Sequence, residues 1–135
     1  RSNFKPSDTP SGIKSPQVSL AVHVVCADTE EEAHRQTAPV RVMYRSLAKG
    51  IIDTPLLSPD DAVKELGGLP TIGEYVSGSG IPPRFIAGTP EQVHQQLIQL
   101  GKDLSVDEII IQDMMTDHEA RLRSYELLSS VFELK

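Results

Sequence analysis

The chain has 135 residues and a formal charge of −6, with hydrophobic residues making up 39%. That is enough for one globular domain and excludes a disordered polymer. The acidic balance, with lysines and arginines scattered, argues against nucleic acid or an anionic membrane as partner, since both need a basic field.

Residues 1–17, rich in proline and serine, read as a loop or frayed arm. Val18–Cys26 is apolar enough to be a strand buried on both faces, with His23 as its polar intruder. Asp28 or Thr29 can cap the next helix, with Glu31 or Glu32 as reciprocal partner and acidic residues facing the positive end of the dipole. This helix should run from about Thr29 to Lys49, with an apolar stripe of Ala33, Val40, Met43, Tyr44 and Leu47. Pro39 predicts a kink or break within it, and Gly50 its end. Ser58, Pro59 and Asp61 open a second helix that stops at Gly67-Gly68.

Residues 68–88 are glycine- and proline-rich and read as a partly irregular excursion. Thr89, Pro90 and Gln92 cap a helix over Pro90–Leu100, ended by Gly101. Asp107–Gln112 is the second clear strand. Thr116, with Glu119 as box partner, is the expected cap of a last helix whose stripe is Ala120, Leu127, Leu128, Val131 and Phe132. Strands followed by capped helices imply parallel pairing with right-handed crossovers. Two strands so far apart do not make a sheet alone, so the chain reads as the tail of a larger α/β protein.

Familiar catalytic motifs are missing. The run GSGIPP at 78–83 lacks the third glycine and following helix of a dinucleotide fingerprint, and the four histidines have no zinc-ligand spacing. No metal site is expected. Asp60-Asp61 and Glu30–Glu32 are explained as helix-cap charges. Alternation puts Val18, Leu20, Val22 and Val24 on one face of the first strand, suited to covering helices. Ser19, Ala21, His23 and Val25 fall on the other, small and partly polar as a barrel interior would be. His23 is therefore one pocket candidate. Gln112, at the C-terminal end of the second strand where βα barrels place function, is the other. A core histidine and an ordinary strand-end cap are the competing readings. Cys26 reads as a small buried hydrophobe.

Several segments together resemble the bacterial luciferase-like flavin-dependent monooxygenases. They are NFKPS at 3–7, VSLAVHVVCADTEEEA at 18–33, AGTPEQVHQQLIQL at 87–100, VDEIII at 106–111 and RLRSYELLSSVF at 121–132. Each is weak alone, and their order and spacing carry the likeness. The resemblance implies a C-terminal fragment of a (β/α)8 TIM barrel, about its last two βα units. Residues 18–135 would form this partial barrel, with an insertion over about 50–88 before the final strand. It also implies reduced FMN as cofactor and oxidation of a small organic substrate with O2. A separate flavin reductase could supply the reduced cofactor, and a homo-oligomer is expected. The deazaflavin F420 is the alternative cofactor within the same superfamily.

Cofactor contacts are expected mostly in the missing N-terminal part, so the isolated chain should not be competent. A free-standing α/β binding domain is a different reading. It would need further strands, recruited from 1–17 and 81–87. A structural or assembly role is a third. No stretch approaches the roughly 18 apolar residues of a membrane span, and a single cysteine suits a reducing, cytoplasmic setting.

Overall fold

A computed structural model describes residues 2–134. Residues 2–17 form turns and bends and are mostly exposed. β1 (Ser19–Cys26) becomes buried from Val22 onward. The chain then enters α1 (Glu30–Leu47), where the Thr29 hydroxyl accepts from the Glu32 N–H at 3.2 Å. Of the kink or break expected at Pro39, there is no break: α1 runs on through it. Ala38, Pro39 and Val40 are all buried. Ala38 and Val42 pack with Ala62 of α2 (Pro59–Leu66). Tertiary packing on both sides of the proline outweighs the one lost backbone bond. α2 begins and ends as its sequence indicates. Ser58 Oγ accepts from Asp61 N at 3.2 Å, and Gly67 closes the helix in the left-handed conformation at φ 83°.

The main departure lies in the glycine-rich excursion. Its last residues form β2 (Phe85–Gly88), a third strand parallel to β1. Four residues are too few for a period to show, and only pairing defines them. β2 leads into α3 (Pro90–Leu104), where the Gln92 side chain accepts from the Thr89 N–H at 2.9 Å. α3 also outruns its expected stop. It passes Gly101 and ends at Ser105, φ 50°. The extra turn is held by tertiary contacts: Leu104 packs on the main core, and Asp103 accepts from Tyr75 Oη and Gly78 N. β3 (Glu108–Gln112) follows, then α4 (His118–Val131). The cap of α4 is Asp117, not Thr116. Asp117 accepts from Ala120 N at 3.1 Å, while the Thr116 hydroxyl donates to the Leu57 carbonyl.

The three strands are all parallel, in the order β2-β1-β3. The expectation of two strands is therefore corrected to a three-stranded α/β sheet with four helices. The β1-to-β2 and β2-to-β3 crossovers run in opposite directions. Right-handed connections then put their helices on opposite faces. Accordingly Val22, Val24 and Cys26 share a core with Ile86, Val93, Leu97 and Leu100 of the α3 side and Leu128 of α4. Val25 and Ala87 share a second cluster with Ala33 of α1 and Met115. No helix among the described residues is long and apolar enough to cross a membrane.

Candidate functional site

His23 lies on β1 with Phe85 of β2 on one side and Gln112 of β3 on the other as register partners. The two pocket candidates are thus brought side by side. His23 is buried and Gln112 is exposed. The imidazole stacks on Phe85 at 5.4 Å between centroids and shares a hydrogen bond with Tyr44 Oη through Nε2 at 3.0 Å. Two cations flank these rings. Arg84 sits 5.0 Å over the Tyr44 ring and Arg41 5.9 Å over that of Phe85. Burial lowers the His23 pKa, and the Arg84 charge lowers it further. A backbone hydrogen bond with Gln112 and the Asp113 charge oppose the shift.

α1 covers this face of the sheet from His23 upward. Below it, Ser19, Ala21, Glu108, Ile110 and Gln112 are exposed. Tyr44 was legible as part of the apolar stripe of α1, but nothing in the sequence signals that its hydroxyl meets His23. Phe85 and Arg84 fell in the segment read as irregular.

A second feature opens beyond the C-terminal ends of β1 and β3. In doubly wound sheets this is where ligands settle, at the point where connections reverse direction. A pocket of about 440 Å³ is lined there by Cys26, Asp28 and Thr29 after β1, Glu32 and Gln36 of α1, and Met115, Glu119 and Arg123 after β3. Arg123 is committed. Its guanidinium donates twice to Asp28, at 2.7 and 3.1 Å, and this holds the Asp28 carboxyl below its ordinary range. Arg35 does the same for Glu32 through two hydrogen bonds of 2.8 and 2.9 Å. Cys26 is buried, and burial pushes its thiol up to about 11, so it stays protonated and is a poor nucleophile. The Cys26 backbone N–H donates to Ser124 Oγ at 3.0 Å.

No family model matches the chain. Individual relatives do. The uncharacterized protein YwcH of Bacillus subtilis (strain 168) is 32% identical over 143 residues, covering 96% of this chain and 37% of its own length. A luciferase-like monooxygenase of Escherichia coli (strain K12) is 25% identical over 133 residues, covering 98% of this chain and 38% of its own. The crystal structure of apo-MsnO8 superposes with a TM-score of 0.73 at 33% identity, over 90% of this chain and 36% of that one. The chain therefore spans little more than a third of the length of the relatives it matches. Over that third, it is homologous in sequence to a luciferase-like monooxygenase and in fold to MsnO8.

Proposed function

We propose that this chain is the C-terminal part of a (β/α)8-barrel, flavin-dependent monooxygenase, whose whole protein oxidises a small organic substrate with O2 using reduced FMN. The observation that carries this reading is the match to MsnO8: 33% identity and a TM-score of 0.73 over nine-tenths of the chain, confined to 36% of the solved protein. The likeness to a named luciferase-like monooxygenase over 98% of the chain points the same way. In this reading residues 18–135 are one partial-barrel domain preceded by an arm, and the exposed face bearing Ala21, Ile110 and Gln112 meets the rest of the barrel. His23 and Gln112 then contribute to the wall of the substrate or flavin environment. A homo-oligomer, a separate reductase and a cytoplasmic setting belong to the same proposal.

The residues of this chain do not by themselves fit a flavin phosphate. The pocket at the strand ends carries Asp28, Glu32 and Glu119, and its arginine, Arg123, is already held by Asp28. The cofactor contacts are therefore assigned to the part of the longer protein outside these residues, and no chemical step is routed through this chain. The test is to express the chain alone and together with the coding sequence upstream of residue 1. The longer protein is expected to bind FMN saturably and to consume O2 when FMN is supplied reduced. The chain alone is expected to do neither. A frame that does not continue upstream, or tight FMN binding by the chain alone, overturns the proposal. Saturable binding of F420 in place of FMN would assign the protein to deazaflavin chemistry.

One observation favours a second reading, a self-sufficient α/β binding domain. β2 gives β1 a parallel partner on each edge, and helices cover both faces of its C-terminal half. Under that reading the chain alone is a monomer with a cooperative thermal transition that persists on dilution.

A further inference from the structure

His23 is 9% exposed and lies between three elements, so its neighbours decide where its proton sits. From α1, Tyr44 Oη stands 3.0 Å from Nε2, and by distance alone either atom could be the donor. A neutral imidazole has one N–H and one bare lone pair. The end of β3 separates the two cases. The ring also bonds to the backbone of Gln112, and that bond favours the protonated ring. The backbone group is therefore the acceptor, and only its carbonyl can accept. The ring nitrogen that meets it carries the hydrogen. Nε2 is taken by Tyr44, so that nitrogen is Nδ1.

The surroundings keep the ring uncharged. Burial is the largest influence against an imidazolium, and Arg84, just ahead of β2 and 5.0 Å over the Tyr44 ring, adds to it. Arg41 of α1 brings a second cation, 5.9 Å over the Phe85 ring. Asp113, after β3, pulls the other way, but its carboxylate also accepts from Tyr125 Oη and Met115 N. A neutral ring whose single hydrogen is on Nδ1 has a bare Nε2, so the Tyr44 hydroxyl must be the donor. Stacking on Phe85, at 5.4 Å between centroids, sets the plane of the ring.

We propose that Tyr44 is the positioning residue of His23: its O–H donates to Nε2 while the Gln112 carbonyl holds Nδ1–H, fixing the ring as one neutral tautomer in one orientation. Both nitrogens are then engaged within the chain. On the monooxygenase reading above, on which this consequence rests, His23 meets flavin or substrate as an uncharged ring and takes no proton from either.

The test is the imidazole nitrogen shifts of the isotope-labelled chain, read by long-range proton–nitrogen NMR at mildly alkaline pH and followed through an acid titration. His23→Asn identifies the signals by their loss, and His34, His94 and His118 serve as internal references. The parent chain is expected to show His23 with a protonated Nδ1 and a bare, hydrogen-bonded Nε2. Tyr44→Phe keeps the ring but removes the donor to the neutral form. The proton affinity of His23 should then rise several-fold, up to about tenfold, the usual worth of one hydrogen bond. Arg84→Met, at an exposed position, should also raise the proton affinity but leave the hydrogen on Nδ1, which separates charge from positioning. A protonated Nε2 or an even mixture of tautomers in the parent chain overturns the proposal, as does a Tyr44→Phe chain with unmoved proton affinity. No flavin or substrate enters this measurement, so its failure leaves the monooxygenase reading standing, and the failure of that reading leaves the tautomer as measured.

Discussion

His23 shows how one side chain ties three elements together. It stacks on β2, bonds to α1 and neighbours the end of β3. Its lowered pKa carries a sign. In the window between the lowered native value and the ordinary value of about 6.5, the unfolded chain binds the proton first. Stability contributed by neutral His23 is thus fully present above that window and is lost as pH falls through it. Melting temperatures measured from neutral pH downward should fall less for His23→Asn than for the parent chain, although the variant starts lower. If the proposed role in the longer enzyme holds, the same variant there changes turnover more than melting temperature. A second residue acts through backbone chemistry. Ser124, buried on α4, receives the N–H of Cys26. Ser124→Ala leaves that donor unpaired inside the protein and should cost about 1–3 kcal/mol in denaturant unfolding. A loss near zero would mean that water reaches the strand end.

At the level of elements, the junction of β2 and α3 leaves no room for a side chain. A Cβ added at Gly88 would lie 2.5 Å from Gln92 Oε1, the atom that caps α3 through Thr89 N. That oxygen is the end of a flexible side chain, so it would swing away and abandon the cap. Gly88→Ala should therefore cost about 1 kcal/mol, the scale of a lost helix cap. Most of this cost should vanish in a Gln92→Ala background, measured as a double-mutant cycle.

Much of this level was legible in the sequence. Ser58, Thr29 and the Thr89-Pro90 start announce their helices because capping is a local effect written within four residues. β1 and β3 show as continuous apolar runs, and their luciferase-like context resembles a known family. What escaped the sequence was set by distant partners. β2 is a strand only because β1 pairs with it. Pro39 stays helical because α2 and the sheet hold both sides. α3 crosses Gly101 because Leu104 and Asp103 have partners elsewhere. The candidate site divides the same way. His23 and Gln112 were visible from strand phase and strand end, whereas the Tyr44 contact with His23 depends on how α1 lies across the sheet.

Across the whole molecule the sheet is unevenly finished. β1 is central, but the outer edge of β3 has no neighbouring strand among the described residues, and Ile110 and Ile111 on it are 49% and 37% exposed. Beside it runs an apolar groove of about 210 Å³ lined by Leu97, Ile98, Ile109, Ile111, Leu128, Phe132 and Leu134. An open apolar edge pairs readily with another chain. Sedimentation of the isolated chain should show weight-average mass rising with concentration, and Ile110→Lys should suppress the rise. A strictly monomeric parent chain at all concentrations would show that the edge is adequately protected as it stands. The placing of β1 in the middle also sets a timetable for synthesis. Ser19 meets Glu108, a partner 89 residues later. At about 5–20 residues per second on the ribosome, the most apolar strand waits on the order of five to twenty seconds for its second neighbour. When the chain is made on its own, Val22, Val24 and Val25 stay open to a holdase chaperone through that interval, so the yield of folded chain depends on what shelters β1 while β3 is still being made.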